Sequence, residues 1–259
     1  MTESRIGLNL YSLREFAQTP ADIAQTLRKV KAIGYDYVQI SGIGKIDPKE
    51  LKRMLDGEGL GVCATHIALA RLQTELDAVI DEHKLWGCRN AAVGAIPEAY
   101  RSAEGYARFA REGSEIGRQL AAHGITFSYH NHYWEFERYN GRTGMDILFE
   151  DSDPAALGAE IDTYWVQYGG GDPAQWIEKM QGRIPLVHFK DMGIDTARAE
   201  GVHIMLPVGE GTLNWPAILA ACQKAGAQWH IVEQDWFPNG QPFESVATSL
   251  RNLKAMGLT

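Results

Sequence analysis

The chain repeats one pattern eight times: a short apolar or β-branched run, often after a glycine, followed in most cases by a stretch with helical periodicity. The runs recur about every 25–45 residues, at 6–10, 37–40, 61–65, 90–93, 125–129, 157–161, 186–189 and 229–232. Short apolar runs bounded by turn residues are typical of buried parallel strands, and eight strands that alternate with helices close into a barrel. The sequence therefore predicts an α/β protein with the (β/α)8 TIM-barrel fold.

Glycines mark the ends of several predicted helices. Gly34, Gly124 and Gly226 each follow a helical stretch and precede a strand, and glycine commonly ends a helix because it adopts left-handed backbone angles without strain. An open doubly wound sheet is the competing architecture, but no GxGxxG sequence follows the first strand. We therefore expect a single barrel domain over residues 1–259, whose longest irregular stretch, 191–213, follows the seventh strand.

Charge and cysteine content disfavour several classes of protein. The 25 basic residues against 33 acidic ones give a net charge of −8, which disfavours a nucleic-acid-binding protein. The 3 cysteines lie far apart and form neither a disulfide framework nor a metal knuckle. No apolar stretch approaches the ~20 residues of a membrane span, and the first residues lack the apolar segment of a secretion signal. We expect a cytoplasmic protein that binds neither nucleic acid nor membranes.

Ionisable residues concentrate where the predicted strands end, which is where barrel enzymes place their active sites. Alternate residues of a strand face opposite sides. The side chains that this alternation directs to one face of the fifth, sixth and seventh strands are His130, His132, Glu160, Asp162, His188 and Lys190. Converging carboxylates and imidazoles indicate a divalent metal ion, because a cation removes the repulsion between the acids. Mixed nitrogen and oxygen ligands suit Mn, Zn, Co or Fe better than Ca, and Mg is possible.

Six sequence segments lie at or near these strand ends. They are 11–14 (YSLR), 129–132 (YHNH), 160–162 (EID), 187–191 (VHFKD), 208–211 (VGEG) and 231–235 (IVEQD). Taken in this order over nearly the whole chain, they resemble the xylose isomerase-like superfamily of TIM barrels, the sugar phosphate isomerases and epimerases. Its members include ketose 3-epimerases, hydroxypyruvate isomerases, inosose dehydratases and, more distantly, family-2 AP endonucleases.

This resemblance implies one divalent ion, with Mn or Zn favoured, bound by residues at the ends of the last four strands. The implied ligands are Asp162, His188 and Glu233. A fourth ligand, His130, stands where the epimerases carry a glutamate that is half of their acid–base pair, and histidine at this position is associated with the dehydratase-like branch. Trp165 stands where the epimerases have a substrate-binding histidine, and its indole offers stacking on a sugar instead of a proton.

The chemistry that the resemblance implies is removal of a proton next to the carbonyl of a sugar or keto-sugar, through an enediolate intermediate. We expect a metal-dependent isomerase or epimerase. The first alternative is a lyase on the same scaffold, either inosose dehydratase-like or eliminating the aglycone of a 3-keto-glycoside. The second alternative is a non-catalytic sugar-binding barrel. The partner is then a small carbohydrate, and a homo-oligomer is possible.

The candidate site residues divide into two groups. Glu233 is the first candidate for the catalytic base, followed by Glu135 and His132, and general acid–base catalysis of this kind is worth about 10²–10⁴ in rate. His132 is also the alternative to His130 as the fifth-strand ligand. The side chains expected to bind the substrate through hydrogen bonds, charge or aromatic stacking are Tyr11, Arg14, His66, Trp165 and Lys190.

Overall fold

Eight parallel strands form a closed barrel in the computed structural model, which describes residues 5–197, 201–238 and 240–259. The strands are β1 (Arg5–Asn9), β2 (Tyr37–Ile40), β3 (Gly61–His66), β4 (Asn90–Val93), β5 (Thr126–His130), β6 (Leu157–Asp162), β7 (Leu186–Phe189) and β8 (Trp229–Val232). Each strand pairs with its sequence neighbours, and β8 pairs with β1 to close the ring. The predicted (β/α)8 TIM barrel is confirmed.

The strands lie where the sequence predicts them, and the bounds of β2, β4, β7 and β8 agree with the prediction. β1 lies one residue earlier than predicted because Leu10 begins a 3-10 turn. The Asn9 side chain caps that turn by accepting a hydrogen bond from the backbone N–H of Tyr11. β6 runs one residue further than predicted because Asp162 still pairs with His188 of β7. This extra pairing brings two functional candidates to the same level of the barrel.

Helices connect the strands and cover the outside of the barrel. The α-helices within the described residues are α1 (Pro20–Ile33), α2 (Pro48–Glu58), α3 (Leu69–Thr74), α4 (Leu76–Trp86), α5 (Ala103–Ala121), α6 (Gly144–Glu150), α7 (Thr163–Tyr168), α8 (Pro173–Lys179), α9 (Trp215–Ala225) and α10 (Pro242–Ala255). α1 shows how the sequence sets their bounds. Thr19 and Asp22 form a capping box at its start, worth about 1 kcal/mol, and Gly34 ends it with a φ of 110°. None of the described helices combines the length and the apolar character needed to cross a membrane.

Aromatic packing between the barrel and the helices sets the direction of the β5 side chains. The ring of Tyr129 lies 5.1 Å from that of Phe109 on α5 and 6.5 Å from that of Phe149 on α6. Burial of such a side chain contributes about 2 kcal/mol, which fixes this face of the strand outwards. The neighbouring His130 therefore points into the barrel, where it is 2% exposed.

The segment after β7 is more regular than predicted. Asp191–Asp195 pairs with Val202–Leu206 as an antiparallel hairpin, whose tip at 198–200 lies outside the described residues. The buried carboxylate of Asp191 accepts hydrogen bonds from the backbone N–H groups of Gly209 and Gly211 and from the indole of Trp215. The prediction of an irregular stretch over 191–213 was wrong for these two strands. The Asp191 side chain ties the start of this hairpin to the segment that follows it.

Candidate active site

Four buried side chains from successive strand ends meet at the carboxyl-terminal mouth of the barrel. They are the four predicted metal ligands, His130, Asp162, His188 and Glu233, and their ligand atoms all lie within 4.8 Å of one another. His188 Nδ1 is 2.8 Å from Glu233 Oε2, and His130 Nε2 is 3.8 Å from Asp162 Oδ2. The strands thus bring together residues that are far apart in the sequence, while their assignment as ligands stays a prediction.

The backbone fixes the direction of each of these side chains. Asp162 is the last residue of β6 and the N-cap of α7, where its Oδ1 accepts a hydrogen bond from the Trp165 N–H at 2.9 Å. Its other oxygen, Oδ2, is left facing the cluster. Glu233 follows β8 and is held by its backbone N–H, which donates to the Phe189 carbonyl. The Asn9 side chain also donates to Glu233 Oε1 at 2.8 Å.

The donor set fits a divalent ion. Asp162 Oδ2, which faces the cluster, is buried and forms no hydrogen bond among the described residues, although Lys190 Nζ lies 3.0 Å from it. Burial raises the pKa of Asp162 to about 6, even though Lys190 opposes this effect. The raised pKa of this buried carboxyl indicates that its negative charge is not fully compensated, and a bound cation would supply the missing positive charge. Two imidazoles and two carboxylates suit Mn or Zn.

The protonation of the histidines differs across the cluster. Burial and, to a smaller extent, the neighbouring His188 lower the pKa of His130 to about 3, so His130 is neutral and keeps a lone pair for an ion. Burial also opposes the charging of His188, but the carboxylates of Glu160 and Glu233 raise its pKa to about 10. His188 therefore has to lose a proton before it can act as a ligand.

Lys190 supplies the nearest fixed positive charge. Its ammonium nitrogen lies 3.0 Å from Asp162 Oδ2, 2.9 Å from Glu233 Oε2 and 3.1 Å from Asp235 Oδ2. Although Lys190 is buried, these three carboxylates hold its pKa well above its usual value. Burial likewise works against ionisation of Glu233, but Lys190 and His188 hold the pKa of this carboxyl well below its usual value. Both side chains are therefore charged at neutral pH.

A cavity of about 330 Å³ lies over the cluster. This volume is within the range of small-molecule sites. Its walls are formed by Tyr11, Ser41, His66, Ile67, Ala68, Gly94, Ala95, His130, His132, Lys190, Glu233 and Asp235. The predicted substrate-binding residues Tyr11, His66 and Lys190 are therefore at the cavity, as are the predicted catalytic residues Glu233 and His132.

Three predicted site residues lie behind the cavity wall. Trp165 contacts two wall residues, with its ring centroid 5.3 Å from Lys190 Nζ and 5.5 Å from the His132 ring. Arg14 donates to the carbonyls of Tyr11 and Asp235, and its guanidinium stacks on the Tyr11 ring at 4.3 Å. These two residues support the wall.

Glu135 is the third of them, and it is turned away from the mouth. Its carboxylate accepts hydrogen bonds from the Tyr129 hydroxyl at 2.5 Å and from the backbone N–H of His132 at 2.9 Å. Because Tyr129 faces the helix layer, Glu135 is buried between that layer and β5. Burial raises the pKa of Glu135 to about 7, against the effect of the Tyr129 hydrogen bond. The structure places Glu135 where it holds the segment that carries His132.

Two polar residues that support the cluster were missed by sequence reasoning. Gln39 donates to Glu160 Oε1 at 3.0 Å, and its own oxygen lies 2.7 Å from His188 Nε2. Ser41 lies 3.1 Å from Nδ1 of His66, which in turn contacts Glu160 at 2.6 Å. The signal available in the sequence was a glutamine within the short apolar strand β2, at a position whose side chain has to face the barrel interior.

The fold and the site define the class of the protein: it is a TIM barrel with a candidate metal centre at the carboxyl ends of its strands, where TIM-barrel enzymes place their active sites. The chain matches the family model described as xylose isomerase-like TIM barrel over residues 27–256. It belongs to that family, which confirms the predicted resemblance.

Comparison with individual proteins gives similar relatives over most of the chain. An inosose dehydratase from Lacticaseibacillus casei is 24% identical over 266 aligned positions, covering 89% of this chain and 88% of the relative. A solved sugar phosphate isomerase/epimerase from Parabacteroides distasonis has a TM-score of 0.81 at 24% identity, covering 99% of this chain and 96% of that one. A xylose isomerase-like TIM barrel protein from Mycobacterium smegmatis, solved in complex with magnesium, has a TM-score of 0.73 at 17% identity, with 97% of both chains covered. The structural likenesses show the shared fold.

Proposed function

We propose that this chain is a divalent-metal-dependent isomerase or epimerase that removes a proton next to the carbonyl of a sugar or keto-sugar. The observation that carries the proposal is the convergence of four buried ligand-type side chains directly under a cavity of about 330 Å³. Membership of the xylose isomerase-like family supports it, because the similar proteins include a sugar phosphate isomerase/epimerase and inosose dehydratases.

Four side chains would hold the ion, namely His130, Asp162, His188 and Glu233. A bound divalent ion supplies a Lewis acid that draws electrons from the carbonyl and the adjacent hydroxyl of the substrate. The protein itself supplies the remaining charge. Lys190 reaches the same cavity with its ammonium group, where it can donate a hydrogen bond to an oxygen that becomes negative in the reaction.

Proton transfer falls to two groups that reach the cavity from different sides. Glu233 follows β8, and its low pKa keeps it ionised and able to accept a proton. His132 comes two residues after β5, and burial holds the pKa of this imidazole well below its usual value, so it is neutral. Its Nδ1 is buried and has no hydrogen-bond partner among the described residues. Because neither group carries a transferable proton at neutral pH, inversion of the carbon between them would need one group to take the substrate proton and the other to relay a proton from solvent water to the opposite face.

Dehydration is the second candidate function, and one feature of the site favours it. His130 supplies an imidazole at the position where the epimerases carry a second carboxylate. Of the four candidate ligands, Glu233 is then the one acid that lines the described cavity, so a single carboxylate is available for proton transfer there. Glu233 would take the proton next to the carbonyl and pass a proton to the departing hydroxyl, which leaves as water. The Lys190 ammonium, 2.9 Å from Glu233 on the same wall, can donate a hydrogen bond to that oxygen. The similarity of this chain to inosose dehydratases, which covers 88% of the length of one of them, supports this candidate.

Proton exchange with solvent tests the proposal. The Mn²⁺-loaded protein is incubated in D₂O with an inosose and, separately, with a free ketohexose, and the products are followed by NMR and by ultraviolet absorbance. Deuterium in recovered or epimerised sugar supports isomerase or epimerase chemistry, whereas an absorbing enone identifies a lyase. Absence of both reactions despite a bound ion would leave the non-catalytic sugar-binding barrel.

A matched pair of variants assigns the reaction to this site. Glu233→Gln should lower the exchange rate by about 10²–10⁴-fold because it removes the proton acceptor. Glu244→Gln changes an exposed glutamate on α10 and should leave the rate unchanged. Equal rates in the two variants would show that Glu233 is not the base.

A further inference from the structure

Glu160 is a buried carboxylate directly beneath the candidate metal centre. It lies on β6 two residues before Asp162, so both side chains face the barrel interior, and Glu160 is fully buried. It pairs with His130 in the register between β5 and β6. The second His/acid group of the structure, made of His66, His130, Glu160 and His188, is centred on this carboxylate.

One oxygen of Glu160 faces nitrogen atoms from four other strands. Its Oε1 is 3.0 Å from Gln39 Nε2, 2.6 Å from His66 Nε2 and 2.5 Å from His188 Nε2. The same oxygen lies 3.5 Å from His130 Nδ1. A single acceptor thus faces one ring nitrogen of each histidine in the cluster.

The opposite nitrogen of each candidate ligand faces the metal centre. His188 presents Nε2 to Glu160 and Nδ1 to Glu233, 2.8 Å away. His130 presents Nδ1 to Glu160 and Nε2 to Asp162, 3.8 Å away. Each ring is therefore placed between a carboxylate below and a candidate ligand carboxylate above.

A neutral imidazole carries one proton, and a neighbouring acceptor decides which nitrogen holds it. Glu160 keeps the proton of His188 on Nε2 through their 2.5 Å contact, and its charge 3.5 Å from His130 Nδ1 favours the proton on that nitrogen. The upper lone pair of each ring is then left for an ion. Gln39 acts in the same sense, because its oxygen accepts from His188 Nε2 at 2.7 Å while its amide group donates to Glu160. Carboxylates that hold metal-bound histidines in this way raise metal affinity by about 10–100-fold.

We propose that Glu160 is a positioning residue that sets the tautomers of two metal-binding histidines, so that His188 binds the ion through Nδ1 and His130 through Nε2. Glu160 itself then stays outside the coordination sphere, and the cluster around it with His66 holds no second ion. The inference rests on the ion site of the proposed function. Among the described residues, Glu160 is the one buried acid of the barrel interior that has no part in the proposed reaction, and the inference gives it a role.

The experiment compares wild-type protein with Glu160→Gln in zinc titrations without substrate. The variant keeps the shape of the side chain but removes its charge, and we expect zinc affinity to fall about 10–100-fold with one zinc per chain in both proteins. Glu82→Gln is the matched control, because it also removes a largely buried carboxylate, one paired with Arg71 on the outside of the barrel. Its zinc affinity should stay at the wild-type value.

Imidazole ¹⁵N spectra of the zinc-loaded wild-type protein give a readout that loss of folding cannot imitate. We expect the proton on Nε2 of His188 and on Nδ1 of His130. The opposite tautomers, a second zinc ion that depends on Glu160, or unchanged affinity in a folded Glu160→Gln variant would each overturn this inference while leaving the ion site in place. Failure of the wild-type protein to bind zinc or manganese would overturn the proposed function together with it.

Discussion

The ammonium nitrogen of Lys190 lies 2.9 Å from Oε2 of Glu233, the oxygen that His188 Nδ1 also contacts, at 2.8 Å. Two basic side chains therefore share one carboxylate oxygen at the centre of the candidate site. The ammonium also lies about 3 Å from Asp162 and Asp235. The stability of the barrel mouth thus depends on Lys190, because it balances three buried or largely buried acids.

Lys190→Met should destabilise the protein strongly when metal is removed. The substitution keeps an unbranched side chain but leaves carboxylates buried without their partner, a change that costs about 3–5 kcal/mol. Urea unfolding in the presence of a chelator measures this loss. Lys179→Met removes a half-exposed lysine paired with Asp146 and should cost less than about 1 kcal/mol. Equal losses in the two variants would contradict the central role of Lys190.

Removal of either a carboxylate or an imidazole from the cluster should strongly reduce metal retention. Asp162→Asn and His188→Ala should each lower the metal content of purified protein about 10-fold or more, measured by elemental analysis. Asp162→Asn retains an oxygen that can cap α7 through the Trp165 N–H, so a loss of metal is not a loss of the helix. Asp153→Asn, which changes a half-exposed partner of Arg118, is the control. Wild-type metal content in both cluster variants would contradict the assignment of the metal site to these residues.

The buried carboxyl of Glu135 should make stability fall as the pH rises from about 5 to about 7. Burial raises its pKa from 4.5 to about 7 in the folded chain, so the folded state binds more protons than the unfolded state in this window. The unfolding free energy then decreases with pH, by up to about 3 kcal/mol in all. Glu135→Gln should show a flatter profile, measured by urea unfolding at each pH. Parallel profiles would show that Glu135 does not titrate there.

Gly94 should tolerate no side chain, because a Cβ atom there would meet Cγ and Nδ1 of His66 at 2.7 Å. Gly94→Ala has to displace His66 from the cavity wall, and overpacking of this kind costs about 1–3 kcal/mol. We expect kcat/KM to fall about 10-fold with metal content unchanged. Gly57→Ala, on α2 with no atom within 4 Å of the new Cβ, is the control. Wild-type kcat/KM in Gly94→Ala would show that the position of His66 does not matter.

The eight strands were predictable because each is a short apolar run buried on both faces. The direction of His130 followed from the same pattern, since the apolar Phe127 and Tyr129 had to pack on the helices. The position of Asp162 beside His188 followed once consecutive strands were known to be parallel neighbours. The convergence of the candidate ligands therefore rests on periodicity and on the barrel topology, with the ligand assignment itself taken from the family resemblance.

The environment of the remaining residues was beyond sequence reasoning because it depends on contacts between distant elements. Glu135 looks like a strand-end acid, but the hydroxyl of Tyr129 draws it towards the helix layer. Gln39 is a neutral amide, and nothing in its own strand indicates that it bridges Glu160 and His188. Such roles follow from side-chain geometry in the closed barrel, where residues from four or more strands share one small space.

Closure of the ring by β1 and β8 also determines when the candidate site can be assembled during synthesis of the chain. Asn9 and Glu233, which meet across this junction, are 224 positions apart in the chain. Seven strands are therefore made before the eighth leaves the ribosome, and in that interval the growing sheet presents open edges to which other chains can add. Because Glu233 arrives with the last strand, no partly synthesised chain holds all four candidate ligands, and the candidate site is complete only once the barrel has closed.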